Sequence, residues 1–356
     1  MTQRDSGSVL DDKYEILERL ATGGMGEVWK ARHIHLHELR VIKILRADRA
    51  TDPHALQRFA QEARIATQIK HPNVAILYDF SRMEDGSFYM VWEHIDGEDV
   101  GHWLKSKGPF PVLLAVELGI QALRGLEAIH GAGVIHRDLS PDNLMITQDR
   151  RGRHQVKIID LGLAKNLAAT AGLEITQAGM FMGKLAYCSP EQAGALKDAP
   201  LDHRSDVYSL AAVLYEMVTG RLPYDSENQH GYVLKRLTEA PIPMVGRSEG
   251  IAVPPELDAM ITRGLERDRE KRWPDALSFL HALVRVADQL RHVATQEVQV
   301  ARPVPIVSAA DTAARGGSRP GTSELSREER NELLAQIDRA AKKVNEASRL
   351  ADLATQ

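Results

Sequence analysis

The stretch from Val134 to Ile146 constrains this chain more than any other part of it. Two apolar flanks enclose a polar insert in which Asp138 and Asn143 are five residues apart. Apolar runs bounded by turn-forming residues predict short buried strands, and Pro141 predicts a turn between them. Such a loop presents a carboxylate and a carboxamide together. Taken alone, the stretch is more typical of a polar hairpin loop without chemistry.

The composition limits the class of protein. A chain of 356 residues with 43% hydrophobic and 26% charged residues suits a globular protein of about two or three domains. A net charge of -4 gives no electrostatic argument for nucleic acid or an anionic membrane as partner. Cys188 is the single cysteine, which excludes an intramolecular disulfide and suits a reducing compartment. Without a signal-peptide core or a run of ~18 apolar residues, we expect a cytoplasmic protein.

The region before residue 100 predicts an antiparallel sheet that carries one helix. Strand patterns cover residues 14–20, 28–31, 39–45 and 88–95, and an amphipathic helix pattern covers 53–69. Gly23, Gly24 and Gly26 lie between the first two strands. Glycines there permit positive φ and let backbone amides approach a ligand closely, although a plain hairpin turn has the same composition.

Lys43 lies within an otherwise apolar strand. A buried ammonium is costly unless it is paired, and Glu62 in the predicted helix is a natural partner. The alternative is an edge lysine whose amine reaches solvent along the protein surface.

The residue pattern changes from mainly strand-like to mainly helical beyond residue 96. Helical periodicity covers residues 111–130, and a short strand over 155–160 ends in Asp160. Between residues 163 and 184 the chain is rich in Ala, Thr and Gly and has no firm period, as expected of a mobile segment.

These landmarks resemble, in order and spacing, those of the bacterial eukaryotic-like (Hanks-type) Ser/Thr protein kinases. The resemblance runs from Tyr14 to Val284, and it includes the motif Ser189-Pro-Glu-Gln192, in which Glu191 is the expected partner of Arg272. It also implies a buried helix over 207–218, with Asp206 at its start supporting the catalytic loop. It implies an α+β, bilobal protein kinase fold. The small antiparallel-sheet lobe with one main helix would span residues 13–95, and the large, mainly helical lobe 96–290.

The resemblance also implies roles for single residues. Asp138 would orient the substrate hydroxyl and accept its proton, while Asn143 and Asp160 would hold Mg²⁺. Lys43, held by Glu62, would contact the α- and β-phosphates of ATP. The implied nucleotide-binding residues are Leu20, Gly23, Gly24, Gly26, Val28, Val41, Lys43, Trp92, Glu93, Ile95 and Asp160.

The implied adenine slot is tight. Trp92 would stand behind the base, and the backbones of Glu93 and Ile95 would bond to it. Trp92 is large for that position, and Val41 is bulkier than the Ala that is usual in the roof strand. A role for Trp92 as a filler of the core is compatible with this interpretation.

Two departures from the family pattern concern catalysis. Ser140 stands two residues after Asp138, where Ser/Thr kinases usually carry Lys, and Lys184 follows Gly183, where Thr is usual. A cation lost from the catalytic loop would thus reappear in a segment that packs against that loop in the family fold. We therefore interpret Lys184 as a relocated catalytic lysine.

An active Ser/Thr protein kinase is the function that these residues predict, acting in signal transduction on protein substrates with Ser or Thr hydroxyls. Thr170 and Thr176 are the predicted sites of autophosphorylation, and Arg137 would bind the added phosphate. The alternative is a pseudokinase that serves as a nucleotide-binding or partner-binding scaffold.

The two ends of the chain differ from its middle. Residues 1–12 predict a disordered lead-in, and residues 296–322, which mix Pro, Gly, Ala and Ser, predict a flexible linker. An amphipathic helix is predicted over 323–354, begun by a capping box at Ser326. Its apolar stripe is Leu333, Ile337, Ala340, Val344, Ala347 and Ala351. A coiled coil and a helix that docks on its own kinase domain fit this stripe equally well.

Overall fold

The computed structural model describes residues 6–22, 26–45, 52–161, 184–193, 201–226 and 229–300. The chain divides into a unit of residues Met1–Val300 and a second unit of Ala301–Gln356. The second unit lies outside the described residues, so the helix over 323–354 stays a prediction. None of the helices within the described ranges could span a lipid bilayer.

The first part of the chain forms a six-stranded antiparallel sheet. Its strands are β1 (Val9–Leu10), β2 (Tyr14–Thr22), β3 (Gly26–His33), β4 (Leu39–Leu45), β5 (Leu77–Arg82) and β6 (Phe88–Glu93). They lie in the order β1-β2-β3-β4-β6-β5. Because successive side chains point to opposite faces of a sheet, β4 sends Ile42 and Ile44 into one core and Leu45 into another.

Close approach of β3 to β4 explains one of the glycines. Gly26 pairs with Leu45, and a Cβ atom at Gly26 would lie 1.7 Å from the carbonyl oxygen of Ile44. Only glycine fits there without a shift of the backbone. The packing of the two strands therefore requires this residue whether or not a ligand is bound.

Helix α1 (Pro53–Ala66) begins at an N-cap, since the side chain of Asp52 accepts a hydrogen bond from the His54 amide. The sequence predicted that this helix would reach Ile69. It ends earlier because the amides of Gln68 and Ile69 donate to carbonyls three residues back, and the α-helical bonding pattern stops there. Ile69 nevertheless lies in the core, with 4% of its surface exposed.

The large lobe is mainly helical. Its helices are α2 (Val100–Lys107), α3 (Val112–Gly131), α4 (Arg204–Thr219), α5 (Gln229–Thr238), α6 (Pro255–Gly264) and α7 (Ala276–Val300). A three-stranded sheet adjoins them, with β8 (Leu144–Gln148) between β7 (Glu98–Asp99) and β9 (His154–Ile158). Fourteen of the sixteen residues of α4 are buried, which makes it the central helix of this lobe. The predicted α+β, bilobal architecture is confirmed.

Three sequence predictions are wrong in part. Residues 1–12 are not all a disordered lead-in, because β1 pairs with β2 and Leu10 is buried in a core. The apolar flank Val134–Ile135 does not form a strand, and only the second flank does. The linker does not begin at Gln296, because α7 continues to Val300; the first helix-breaking residue after it is Pro303.

Candidate active site

A buried carboxylate from α4 holds the turn that contains Asp138. Asp206 is fully buried, and its two oxygens accept hydrogen bonds of 2.7 Å from the amides of His136 and Arg137. The ring of His130 contacts the same carboxylate at 2.9 Å. The amide of Val134 in the flank before His136 donates to the Ile129 carbonyl at the end of α3, at 3.3 Å, so it is not available to a strand partner.

Two non-glycine residues at this site have left-handed backbone conformations. Arg137 has a φ of 63° and Asp160 a φ of 56°. Such conformations are unfavourable for ordinary residues and persist where the surrounding contacts enforce them. At Arg137 these contacts are two hydrogen bonds. Its backbone amide donates to the Asp206 carboxylate, and its carbonyl accepts a 2.9 Å hydrogen bond from Gln192.

Asp138 and Asn143 meet as the spacing predicted. The Asn143 amide nitrogen donates to the Asp138 carbonyl at 2.7 Å and lies 3.3 Å from its carboxylate. Both side chains are more than nine-tenths buried. The amide of Ile159 donates to the Asn143 carbonyl at 3.0 Å, which joins the chain before Asp160 to this turn.

Lys43 joins the two lobes at the site. Its ammonium lies 2.7 Å from the Glu62 carboxylate on α1 and 3.5 Å from that of Asp160. The predicted pair of strand lysine and helix glutamate therefore forms. Burial alone would lower the pKa of Lys43, but the charges of Asp160 and Glu62 outweigh burial and raise it. The Lys43 side chain therefore stays protonated, and its two carboxylate partners hold it in place.

One face of the small sheet gathers the apolar residues around Lys43. Lys43 pairs with Val28 on β3 and with Met90 on β6, and Val41 pairs with Trp92. Trp92 is 8% exposed and belongs to the larger core, so its role as a core side chain is confirmed. Its position behind an adenine ring stays a prediction.

Three other predicted nucleotide contacts lie at the rims of this face. Leu20 on β2 is half exposed, Ile95 follows β6, and the Glu93 amide donates to the Ile76 carbonyl at 2.8 Å. The Glu93 side chain forms an ion pair with Lys157 of the large lobe at 2.6 Å.

A buried ion pair between Glu191 and Arg272 anchors the chain just before α4. Arg272 donates to both oxygens of Glu191, at 2.6 and 2.8 Å, as the sequence predicted. The hydroxyl of Ser205 adds a third hydrogen bond to Glu191 at 2.7 Å. Although burial alone would raise the pKa of Glu191, these bonds to Arg272 and Ser205 lower it.

Several predicted residues are outside the described part of the chain. Gly23, Gly24, Thr170 and Thr176 belong to this group, as does the side chain of Lys184, whose backbone begins a 3-10 turn, Lys184–Ala186. Ser140 is described and fully buried. Its hydroxyl has no hydrogen-bond partner in the part of the chain that the structure covers.

The donor atoms suit Mg²⁺ and a nucleotide phosphate. Mg²⁺ takes oxygen ligands, and Asp160 with Asn143 provides a carboxylate and a carboxamide oxygen. Because the Asn143 nitrogen is bound to Asp138, the orientation of its amide is fixed. Asp160 keeps about half of its side chain exposed beside Lys43, so a carboxylate and a cation face the space between the lobes.

Sequence reasoning missed three residues of the site. His130 contacts Asp206, Gln192 supports the Arg137 carbonyl, and Met90 lies beside Lys43. The alternation of β6 could have identified Met90, since Met90 and Trp92 share a face. The contacts of His130 and Gln192 span 76 and 55 residues, and no local pattern indicates them.

Comparisons with known proteins agree with this geometry. The family model described as "Protein kinase domain" matches residues 14–299. The chain is 35% identical over 311 residues to the Serine/threonine-protein kinase pkn3 of Myxococcus xanthus, covering 85% of this chain and 56% of the relative. It is 37% identical over 280 residues to the Serine/threonine-protein kinase PknB of Mycobacterium leprae, covering 78% and 43%. The chain thus spans about half the length of these curated relatives.

Solved structures share the fold. The kinase domain of PknI from Mycobacterium tuberculosis, as a double mutant, superposes with a TM-score of 0.59 at 21% identity, covering 80% of this chain and all of that one. Rad53 residues 1-466, in complex with AMP-PNP, superposes with a TM-score of 0.60 at 24% identity, covering 75% of this chain and 64% of that one. At these identities the likeness concerns the fold alone.

Proposed function

The chain belongs to the protein kinase domain family, and from this premise we propose that it transfers the γ-phosphate of ATP to Ser and Thr hydroxyls of proteins. The observation that carries the proposal is the meeting of Lys43 with Glu62 and Asp160 at 2.7 and 3.5 Å. A cation fixed between two carboxylates is the arrangement that phosphoryl transfer needs, and the residue before Asp160 is hydrogen-bonded to the turn that contains Asp138.

The chemistry asks the protein mainly for positioning and charge. Asp138 orients the acceptor hydroxyl and accepts its proton, and Asn143 keeps Asp138 in place. Lys43 binds the α- and β-phosphates of ATP, and Asn143 with Asp160 holds Mg²⁺. When bound, the metal supplies neutralising charge to the phosphates. Trp92 closes the space behind the adenine, and the backbones of Glu93 and Ile95 form hydrogen bonds with the edge of the base.

Regulation follows from the same residues. Thr170 and Thr176 are the proposed autophosphorylation sites, and Arg137 binds the phosphate that they receive. The Nε atom of Arg137 is buried and has no hydrogen-bond partner among the described residues, which supports this role.

We place the protein in the cytoplasm, in a signalling pathway, and assign the helix over 323–354 to contact with a partner or with the kinase domain.

Incubation of the purified chain with labelled ATP tests this function. We expect label on Ser and Thr, including Thr170 or Thr176, in the presence of Mg²⁺ and none after chelation of the metal, because the phosphates then lack their neutralising ion. Mass spectrometry locates the label. Transfer that persists without divalent metal contradicts the proposal.

A scaffold without phosphoryl transfer is the second candidate. Ser140 favours it, because a fully buried hydroxyl stands where most Ser/Thr kinases carry a lysine. A scaffold would bind nucleotide or a partner, and its binding to a partner would be unchanged in Asp138→Asn and Lys43→Met. The two functions are therefore separated by whether any label reaches protein.

Replacing Lys184 by Ala is expected to lower the transfer rate about 10²-fold while the affinity for ATP stays nearly constant. The reason is that its ammonium would stabilise charge that develops on the transferred phosphoryl group, a contact worth about 2–4 kcal/mol. The measurement is transfer to a peptide at saturating ATP. Lys271→Ala, at an exposed position in the large lobe, is the control and should change the rate little.

The reciprocal change tests whether Lys184 replaces the missing lysine. Ser140→Lys combined with Lys184→Thr restores the usual family arrangement and should recover part of the lost rate. Coupling between the two changes is expected, because both residues would serve one charge. If Lys184→Ala behaves like Lys271→Ala, the relocated-lysine hypothesis is wrong.

A further inference from the structure

Arg236 on α5 is a buried cation that forms no ion pair with a carboxylate among the described residues. It is 1% exposed, as is Arg272. Arg272 is paired with Glu191, whereas Arg236 has no such carboxylate within the described ranges. Burial of a charge is costly unless other polar groups compensate it. The groups that compensate Arg236 therefore indicate what it does.

Its guanidinium binds backbone. One terminal nitrogen donates to the Leu185 carbonyl at 2.6 Å, and the other donates to the Cys188 carbonyl. The Tyr232 ring lies beside it, with 5.3 Å between the guanidinium carbon and the ring centroid. Its Nε atom has no hydrogen-bond partner within the described ranges. The rigid fork of an arginine fits two carbonyls at once, and it holds residues 185–188 in one shape.

Residues 185–193 lie against the turn that contains Asp138, called the catalytic turn below. The Gln192 side chain donates to the carbonyl of Arg137, the residue directly before Asp138. The Tyr187 hydroxyl donates to Glu216 on α4 at 2.6 Å. The segment therefore lies next to the turn that contains Asp138, so its shape can affect how a polypeptide that presents a hydroxyl to Asp138 is seated.

We propose that Arg236 is a positioning residue for the protein substrate. It holds the backbone of residues 185–188 in the shape that seats the polypeptide around the acceptor hydroxyl, and it takes no part in holding ATP. The inference rests on the proposed function. It assigns part of the recognition of protein substrates to a charge on α5 that the substrate never touches.

The consequence is a separation of two activities. Loss of the arginine relaxes the segment and weakens binding of the polypeptide. Hydrolysis of ATP uses water as acceptor and does not need a seated polypeptide. A general loss of folding or of nucleotide binding would lower both activities together.

The test compares Arg236→Met with Lys235→Met, a change of the neighbouring residue on the same helix, whose side chain is 39% exposed and pairs with Glu239. We expect Arg236→Met to raise the KM for a Ser/Thr peptide about tenfold or more, the loss expected for charge-assisted hydrogen bonds. ATP hydrolysis without peptide should stay within about twofold of the parent, and Lys235→Met should change neither activity by more than that. Equal losses of both activities, or an unchanged peptide KM, would overturn the proposal.

A second variant covers failure of Arg236→Met to fold. Arg236→Lys keeps the charge but offers a single point donor in place of a fork, so the peptide KM should lie between those of the parent and the methionine variant. With the methionine variant unfolded, a rise of the peptide KM at constant ATP hydrolysis in Arg236→Lys supports the proposal, and parallel losses overturn it.

Hydrogen exchange separates this inference from the proposed function. If the parent transfers no phosphate to protein, the proposed function fails, and amide exchange of residues 189–193 still tests the role of Arg236. Ser189 accepts hydrogen bonds from the Gln192 and Ala193 amides, so these amides report on the segment. Faster exchange there in Arg236→Met or Arg236→Lys than in Lys235→Met supports positioning by Arg236, and equal exchange overturns it.

Discussion

Replacing Lys43 by Met is expected to lower phosphoryl transfer about 10²- to 10³-fold, the cost of removing one preorganised charge-stabilising group. Lys43 is the cation that joins Glu62 to Asp160, and its raised pKa keeps it charged over the working pH range. The measurement is the initial rate of peptide phosphorylation at saturating ATP. Lys13→Met, at an exposed turn of the small lobe, is the control and should leave the rate nearly unchanged.

The same change leaves Glu62 buried without its cation, so a loss of stability could imitate a loss of catalysis. The double variant Lys43→Met with Glu62→Gln removes this difficulty, because a neutral amide does not leave an unpaired charge. We expect the double variant to regain stability but not activity. Recovery of activity with stability would show that Lys43 acts only in folding.

Arg272→Ala is expected to destabilise the kinase domain by about 3–5 kcal/mol, because it leaves Glu191 buried and unpaired. Arg272 also donates to the carbonyls of Arg204, Glu266 and Arg267, and these bonds are lost as well. For a domain of this size the change corresponds to a fall in Tm on the order of 10 °C. Calorimetry or urea denaturation measures it.

An exposed ion pair supplies the control for Arg272. Arg291 lies 2.8 Å from Glu117, with both side chains more than a third exposed, and such pairs contribute less than about 1 kcal/mol. Equal destabilisation by Arg272→Ala and Arg291→Ala would contradict the account.

The pH dependence of the parent has a definite sign. The pKa of Glu191 is below its ordinary value of 4.5, so its contribution to stability is present above that value and is lost as the pH falls through the lowered pKa. Arg272→Ala should remove this part of the acid sensitivity.

Contacts that a local pattern implies could be predicted from the sequence. A lysine in an apolar strand and a glutamate in an amphipathic helix indicated the pair of Lys43 and Glu62. The family resemblance added the pair of Glu191 and Arg272 and the support of the catalytic turn by Asp206. In each case residue type restricts the partner, because a buried charge has few ways to be compensated.

Features set by distant residues could not be predicted. The flank before His136 has the composition of a strand, but its Val134 amide donates to Ile129 at the end of α3, and a carboxylate 70 residues later takes the amide of His136. Leu10 is buried only because β1 reaches the small sheet, and nothing in the polar lead-in indicates this. The bonds of Arg236 to Leu185 and Cys188 join an ordinary helix to an irregular segment, and no spacing in the sequence marks them.

The measurement that tests the central claim most directly is single-turnover transfer from ATP to peptide by the parent and by Asp138→Asn, at saturating ATP and Mg²⁺. The variant keeps the size of the side chain but cannot accept the proton of the acceptor hydroxyl, a role worth about 10²- to 10⁴-fold. Asp149→Asn, in the turn between β8 and β9, is the control. The account predicts transfer by the parent and the control, and a loss of at least about 10²-fold in Asp138→Asn with unchanged ATP binding. Equal transfer by Asp138→Asn and the parent, or no transfer by a parent that binds ATP, would contradict it.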